Sequence, residues 1–199
     1  MGISDTKIFA ALALLLMPAP ALTIESADPK KTGEPYIHAP TGFVFPASVG
    51  EFKRVSERAF GPDGDNIGVG YNAETPEYAL VATIFVYPGG ADTSTEQACD
   101  LAFESRQMNL KQAHPDAQLI ERDTIDAPAA APEPHGRRAV YEFRDNFRGN
   151  LQLLRSESLL FCGVGAKWLI AYRVTAPATA DYRAKFEAFR RSLAWHRVK

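Results

Sequence analysis

Alternation of apolar and polar side chains predicts strands throughout residues 138–177. In residues 139–147 the apolar side chains recur at every second position, the period of a strand with one buried face. Residues 167–175 are partly apolar on both sides, as expected of an interior strand covered on two faces. Between them lies a long mixed strand, residues 151–162, followed by Gly163 and Gly165, which favour a reversal. The block therefore predicts an antiparallel meander.

The first half of the chain shows shorter strand patterns separated by turn residues. The segment ALVATIFVY, residues 79–87, is apolar and β-branched, which is typical of a central strand. The turn cluster GPDGDN separates residues 53–60 from the alternating Ile67, Val69 and Tyr71, and predicts a hairpin. The segment GFVFPASVGEF, which begins at Gly42, predicts an apolar entry strand and turn, and residues 118–125 a shorter strand.

Two stretches change to a helical period. Thr93 and Glu96 resemble a capping box, and the helix that they open is predicted to end by Ala113. A second amphipathic helix is predicted over residues 178–195, with an apolar stripe made of Tyr182, Phe186, Phe189 and Leu193. The order of elements predicts an α+β fold: a mainly antiparallel sheet of about six or seven strands, packed by two helices.

The N-terminus predicts export. Lys7 precedes an apolar run, residues 8–17, and the sequence PAPA, which together form a secretory signal peptide over residues 1–21 with cleavage near Ala21. The run is about half of the ~20 residues that cross a bilayer, so we expect no membrane span after cleavage. We predict a flexible leader over residues 22–41, a single α+β domain over residues 42–199, and a periplasmic or secreted location.

Composition and charge narrow the classes of partner. The chain has 199 residues, of which 46% are apolar and 23% are charged, enough for one domain with a core. Its net charge of −2 provides no strong field for nucleic acid or an anionic membrane. We therefore expect no nucleic-acid partner.

The two cysteines form a candidate disulfide. The oxidising compartment that an exported protein reaches permits a disulfide bond between Cys99 and Cys162. That bond would close a loop of roughly 63 residues, which the chain-entropy treatment rates at about 4 kcal/mol. Two separate buried thiols remain an alternative, because spacing alone does not fix the distance between the sulphur atoms.

No metal or cofactor site is predicted. The histidines are scattered, and we expect exposed, solvated side chains for His38, His114, His135 and His196. Asp63 and Glu74 have the spacing of a calcium loop, but Ile67 stands where an oxygen ligand is needed, so a hairpin turn is predicted there. The segments GVGYN and GVGAK lack the context of phosphate-binding loops and are predicted as turns.

No catalytic residue is assigned either, although one alternative stays open. Cys162 beside Gly163 could be a nucleophile if the fold brought a carboxylate and either His114 or His135 next to it. Five arginines could line one side of the sheet and attract an anion: Arg138, Arg144, Arg148, Arg155 and Arg173. We favour ion pairing of these arginines with Glu142, Asp145 and Glu157.

The order of elements, the opening FVFPASVGEFKR and the closing strand WLIAYRVTAP with its helix are similar to one known fold. Over residues 43–197 the chain resembles the extrinsic oxygen-evolving protein of photosystem II, the PsbP-like fold. The resemblance implies an assembly or binding module, and no site motif matches, so no functional residue carries over. The sequence thus favours a non-catalytic exported domain that binds a protein or small ligand through one sheet face; the alternative is an exported enzyme that uses Cys162.

Overall fold

The computed structural model describes residues 33–75, 78–90, 95–126, 136–165 and 167–193. Its ten strands are β1 (Tyr36–His38), β2 (Phe43–Phe45), β3 (Ser48–Val49), β4 (Phe52–Ala59), β5 (Ile67–Glu74), β6 (Ala79–Pro88), β7 (Gln118–Ile125), β8 (Gly136–Phe147), β9 (Asn150–Val164) and β10 (Trp168–Pro177). The two helices are α1 (Glu96–Ala113) and α2 (Arg183–Arg191).

Eight strands form one antiparallel sheet in the order β3-β4-β5-β6-β10-β9-β8-β7, and β1 pairs with β2 separately. The α+β class and the mainly antiparallel sheet are confirmed, and β8, β9 and β10 form the predicted meander. The predicted count of six or seven strands is wrong because the sheet has eight. The shortest of them, β3, has only two residues, too few for any alternation to be read from the sequence.

Part of the predicted leader belongs to the folded unit. Within residues 22–41, β1 pairs with β2, and His38 is 1% exposed. The prediction of an exposed His38 is therefore wrong: its Nδ1 lies 2.8 Å from Thr41 Oγ1, and its Nε2 lies 3.1 Å from the Gly64 carbonyl oxygen. The predicted signal peptide, residues 1–21, and His135 and His196 lie outside the described residues.

One face of the sheet, called here the α2 face, carries the larger core. Phe186 and Phe189 of α2 pack there, beside Tyr71 of β5 and Tyr172 of β10. Phe43 joins the same core from β2. The helix is shorter than the predicted 178–195, but all four residues of the predicted stripe are buried: Tyr182, Phe186, Phe189 and Leu193.

The opposite face, called the α1 face, is only partly covered. The buried core under α1 consists of residues from β8, β9 and β10, whereas Phe85 and Tyr87 of β6 are only partly buried at its margin. The helix begins at Glu96, capped by Thr95, whose Oγ1 accepts a hydrogen bond from Ala98 N at 3.2 Å. The predicted cap, Thr93, lies outside the described residues. Among the described residues, neither helix covers a strip of the α1 face over β4, β5 and β6.

A disulfide between Cys99 and Cys162 ties α1 to β9, which confirms the predicted bridge. Both residues are buried in the core of the α1 face. In the described part of the chain, no helix is both long and apolar enough to cross a membrane. The bridge is consistent with an exported domain.

Candidate ligand-binding groove

A groove of about 430 Å³ runs between α1 and β6 on the open strip of the α1 face. Its volume falls in the range of roughly 300–1,000 Å³ that is usual for small-molecule sites. Aromatic rings from the sheet side and polar side chains from the helix side line it, among them Phe60, Phe85, Tyr87, Ser105, Arg106 and Asn109. The groove thus combines an apolar floor with a polar wall.

Two glycines in β5 leave room for neighbouring side chains, and one of them, Gly68, leaves room for this floor. A Cβ atom at Gly68 would lie 3.0 Å from Phe60 Cε2 and 3.2 Å from Phe85 Cε1, closer than side chains normally approach. A Cβ atom at Gly70 would collide with Ser56 Oγ. The absence of a side chain at Gly68 therefore allows the two rings to pack against the strand, and its absence at Gly70 makes room for Ser56.

The segment GVGYN that contains these glycines is not a turn, so that prediction is wrong. It lies inside β5, where Gly68 and Gly70 pair with Arg58 and Ser56 of β4. The second segment, GVGAK, does follow the prediction: Gly163 and Gly165 have φ angles of 69° and 56° at the end of β9. Space, rather than backbone freedom, explains the glycines of β5.

Arg106 lies over the floor of the groove. Its guanidinium carbon is 5.0 Å from the centre of the Phe85 ring and 5.7 Å from that of Tyr87, distances at which a cation is attracted to a ring face. Its Nη1 donates a long hydrogen bond of 3.4 Å to the Tyr87 hydroxyl. The Nε atom is buried without a hydrogen-bond partner, and among the described residues Arg106 has no ion pair.

Arg173 of β10 lies beside this floor. It pairs in register with Thr83 of β6, while Phe85 pairs with Ala171, so Arg173 and Phe85 are diagonal neighbours on one face. Its Nε donates a 3.0 Å hydrogen bond to Ser156 Oγ. Burial lowers the pKa of the Arg173 guanidinium, and the charge of Arg106 lowers it further. Arginine nevertheless stays protonated in proteins, so two cations share this region.

The predicted ion pairing is confirmed for two of the five arginines, Arg138 and Arg155, both on the α2 face. Arg138 Nε bonds Glu157 Oε1 at 2.7 Å, and Arg155 bonds Glu142 Oε1 at 2.6 Å. Arg148 pairs instead with Glu74, at 2.8 Å. Arg173 differs, because within the described ranges it has no carboxylate within ion-pair distance.

The structure does not bring the proposed nucleophile and base together. The Cys162 sulphur is held in the disulfide, and His114 stacks on Phe143 with its Nδ1 3.7 Å from Asp145 Oδ2. Phe143 pairs with Leu154, and Cys162 lies eight positions further along β9. At about 3.3 Å per residue, that separation is roughly 26 Å. His114 therefore cannot serve as a base for Cys162.

Asp63 and Glu74, which have the spacing of a calcium loop, do not lie next to each other in the fold. Asp63 lies in the turn between β4 and β5, while Glu74 lies at the far end of β5 and pairs with Arg148. The predicted hairpin turn is confirmed. No group of three or more metal-binding side chains occurs in the part of the chain that the structure describes.

A smaller cavity of about 260 Å³ lies between α2 and the edge of the sheet. Val49, Phe52 and Phe189 line it, and its two charged residues, Lys185 and Glu51, bond each other at 2.7 Å. Its charges are thus satisfied within the protein, unlike those of the α1 groove. We therefore take the α1 groove as the candidate site.

No protein-family model matches this chain, and no curated protein matches it in sequence. The candidate site is therefore defined by its geometry. The α1 groove combines aromatic rings and an open concave surface with Arg106, a cation that has no carboxylate partner among the described residues. Such a combination suits binding, since it offers stacking, shape and charge without an arranged nucleophile.

Proposed function

We propose that this protein is an exported, non-catalytic binding domain that holds a small ligand in the α1 groove. The observation that carries the proposal is the position of Arg106, stacked on Phe85 and Tyr87 in a groove that α1 leaves open. On the other face of the sheet, Arg138 and Arg155 pair with carboxylates of neighbouring strands. Aromatic rings and an unpaired cation in a concave site are typical of recognition.

The N-terminal sequence and the disulfide support the export part of the proposal. Disulfides persist in oxidising compartments and are rare in the cytosol. In the exported protein, mass spectrometry should find a chain that begins at Leu22, after the small residues Ala19 and Ala21. A chain that retains Lys7 in the exported fraction would contradict the cleavage assignment.

The element order supports assignment to the PsbP-like fold as a further part of the proposal. An antiparallel sheet carries one helix on each face, and a meander of three strands precedes the last helix. Function does not follow from fold alone, so this assignment adds only a class of binding and assembly modules. The enzyme alternative gains no comparable support, because Cys162 and His114 are far apart.

A fragment screen observed by NMR tests the binding site. Small aromatic compounds should first shift the backbone amide signals of Gly68, Phe85 and Tyr87. Ser105→Trp should weaken this binding at least tenfold, because the exposed Ser105 lines the groove and an indole would fill it. Met108→Trp is the matched control, since Met108 is 57% exposed on the same helix but does not line the groove.

Two results would contradict the proposal. Shifts confined to signals outside the groove would show that the ligand site lies elsewhere. Equal weakening by Ser105→Trp and Met108→Trp would show that bulk on α1, rather than filling of the groove, causes the effect. Thermal melting of both variants establishes that each remains folded.

A further inference from the structure

We propose that Arg106 and Arg173 form an anion subsite of the α1 groove, so that its ligand is a small organic anion. The class of ligand is a molecule with a carboxylate or phosphate next to an apolar, preferably planar, body. This inference rests on the proposed function, because it names what the groove binds. It also adds a residue, Arg173, that lies beside the groove rather than along its wall.

The position of the two guanidinium groups is the first argument. Arg106 lies over Phe85, and Arg173 is the diagonal neighbour of Phe85 on the same face. Two like charges in a partly buried place repel each other more than they would in water. Asp145 is the one carboxylate that raises the Arg173 pKa, but its side chain is 49% exposed and lies beside His114. An anion from outside would offset this repulsion.

Unused hydrogen-bond donors are the second argument. The Arg106 Nε–H is buried and has no acceptor, although the planar guanidinium is suited to two parallel bonds with a carboxylate or phosphate. The neighbouring Gln107 is also buried without a partner among the described residues, but it does not line the groove and is not part of the subsite. A buried polar group without a partner is unfavourable, and an acceptor on a ligand would satisfy the Arg106 Nε–H.

The aromatic floor determines the rest of the ligand. Phe60 is 47% exposed, and its ring centre lies 6.2 Å from that of Phe85 with the rings tilted by 32°. An exposed ring next to a half-buried one offers a surface for a flat or aliphatic group. A ligand that places its anion at the arginines can therefore lay its body on these rings.

Titration of the whole exported protein with matched probes tests the inference. Phenylacetate and phenyl phosphate supply the anion with a ring, and 2-phenylethanol supplies the ring without charge. We expect both anions to shift the signals around Arg106 and Arg173, and to bind more tightly than 2-phenylethanol. The tighter of the two anions identifies whether a carboxylate or a phosphate is preferred.

Neutral variants isolate the charge. Arg106→Gln and Arg173→Gln should each weaken binding of the preferred anion about tenfold, the loss expected for a charge-assisted hydrogen bond, while affinity for 2-phenylethanol stays within twofold. Arg144→Gln is the control, because Arg144 is exposed and follows Phe143 on the opposite side of β8. Arg106→Lys keeps the positive charge but loses the planar guanidinium with its paired N–H donors, so it should weaken binding less than Arg106→Gln.

The outcomes separate the two proposals. Equal binding of charged and neutral probes in the groove, or unchanged anion affinity in both glutamine variants, overturns the anion subsite and leaves the groove as a binding site. Absence of any shift in the groove signals overturns both. If Arg106→Gln fails to fold, Arg106→Lys and Arg173→Gln still decide, since each must lower anion affinity more than Arg144→Gln does.

Discussion

On the α2 face, Arg138 bonds Glu157, Glu121 and Asp123, whereas on the α1 face Arg106 and Arg173 bond no carboxylate within the described ranges. The first arrangement neutralises a cation that is only 13% exposed. The second leaves cations beside aromatic rings at an open groove. Other arginines under α1 are paired, as Arg137 is with Asp100, so the difference concerns the groove and agrees with the proposal that the binding site lies there.

The helices differ in the same way. The short α2 packs Phe186 and Phe189 directly against aromatic residues of the sheet. The longer α1, with 18 residues, buries Gln107 as well as Phe103 and is fastened to the sheet through Cys99. Because α1 covers only part of its sheet face, its packing buries less apolar surface. The disulfide is therefore expected to contribute a larger share of the stability on that face.

Removal of the disulfide should have the largest effect and should affect the α1 face first. We expect replacement of both Cys99 and Cys162 by serine to lower the free energy of unfolding by about 4 kcal/mol, because the bridge closes a long loop. Chemical denaturation measures the loss, and hydrogen exchange locates it. Amides of α1 should lose more protection than those of α2; equal losses would contradict the contrast between the faces.

Neutralising Arg138 should have the next largest effect. Arg138→Gln leaves Glu157, which is 9% exposed, without its cation, and we expect a loss of about 2 kcal/mol. This is below the value for fully buried pairs, because Glu121 and Asp123 can regain water. Arg183→Gln, at a 50% exposed arginine that pairs with Glu121, is the control and should cost under about 1 kcal/mol. Equal losses would remove the special role of Arg138.

Acid should weaken the α2 face through His38. Burial lowers the pKa of His38 in the folded state, so below the ordinary value of about 6.5 the unfolded chain takes up the proton first. Neutral His38 therefore makes its full contribution to the free energy of unfolding above about pH 6.5. This contribution is lost as the pH falls from that value towards the pKa of His38 in the folded state. Melting temperatures between about pH 7.5 and 5.5 should fall less in His38→Gln than in the natural protein.

The control for this pH effect comes from the other face. Arg173→Gln should leave the pH profile of the melting temperature unchanged, because arginine does not titrate in this range. If the melting temperature of His38→Gln fell with pH as much as that of the natural protein, another group would be responsible for the acid response. A changed profile in Arg173→Gln would contradict the assignment of pH sensitivity to the α2 face.

The smallest expected effect is on stability at the groove. Arg173→Gln should leave the free energy of unfolding within about 1 kcal/mol of the natural value, or raise it, because a partly buried cation without a carboxylate is removed. Chemical denaturation of Arg173→Gln beside Arg138→Gln measures the contrast. A loss as large as that of Arg138→Gln would mean that Arg173 is structural.

Periodic patterns predicted most elements, and the exceptions have physical reasons. In β8, apolar and polar residues alternate, and in β10 the residues on both faces are apolar. Both patterns are formed by residues close together in the sequence, so they could be recognised without the structure. His38 escaped the same reasoning because its partners, Thr41 and Gly64, include one that is 26 residues away. Gly68 and Gly70 suggested a turn, because no local signal shows that aromatic rings occupy the space at Gly68 and that Ser56 occupies the space at Gly70.

By itself the sequence determined the α+β class, the meander, both helices and the cysteine pair that could be bridged, because periodicity and residue type act locally. Only the tertiary structure decided which arginines are paired. Nothing in the sequence distinguishes Arg138 from Arg173. In the fold, Arg138 bonds carboxylates of β7 and β9, whereas Arg173 bonds Ser156 and lies close enough to Arg106 to be affected by its charge. Charge neutralisation depends on distances between strands that are remote in the chain, and those distances are set by the register of the whole sheet.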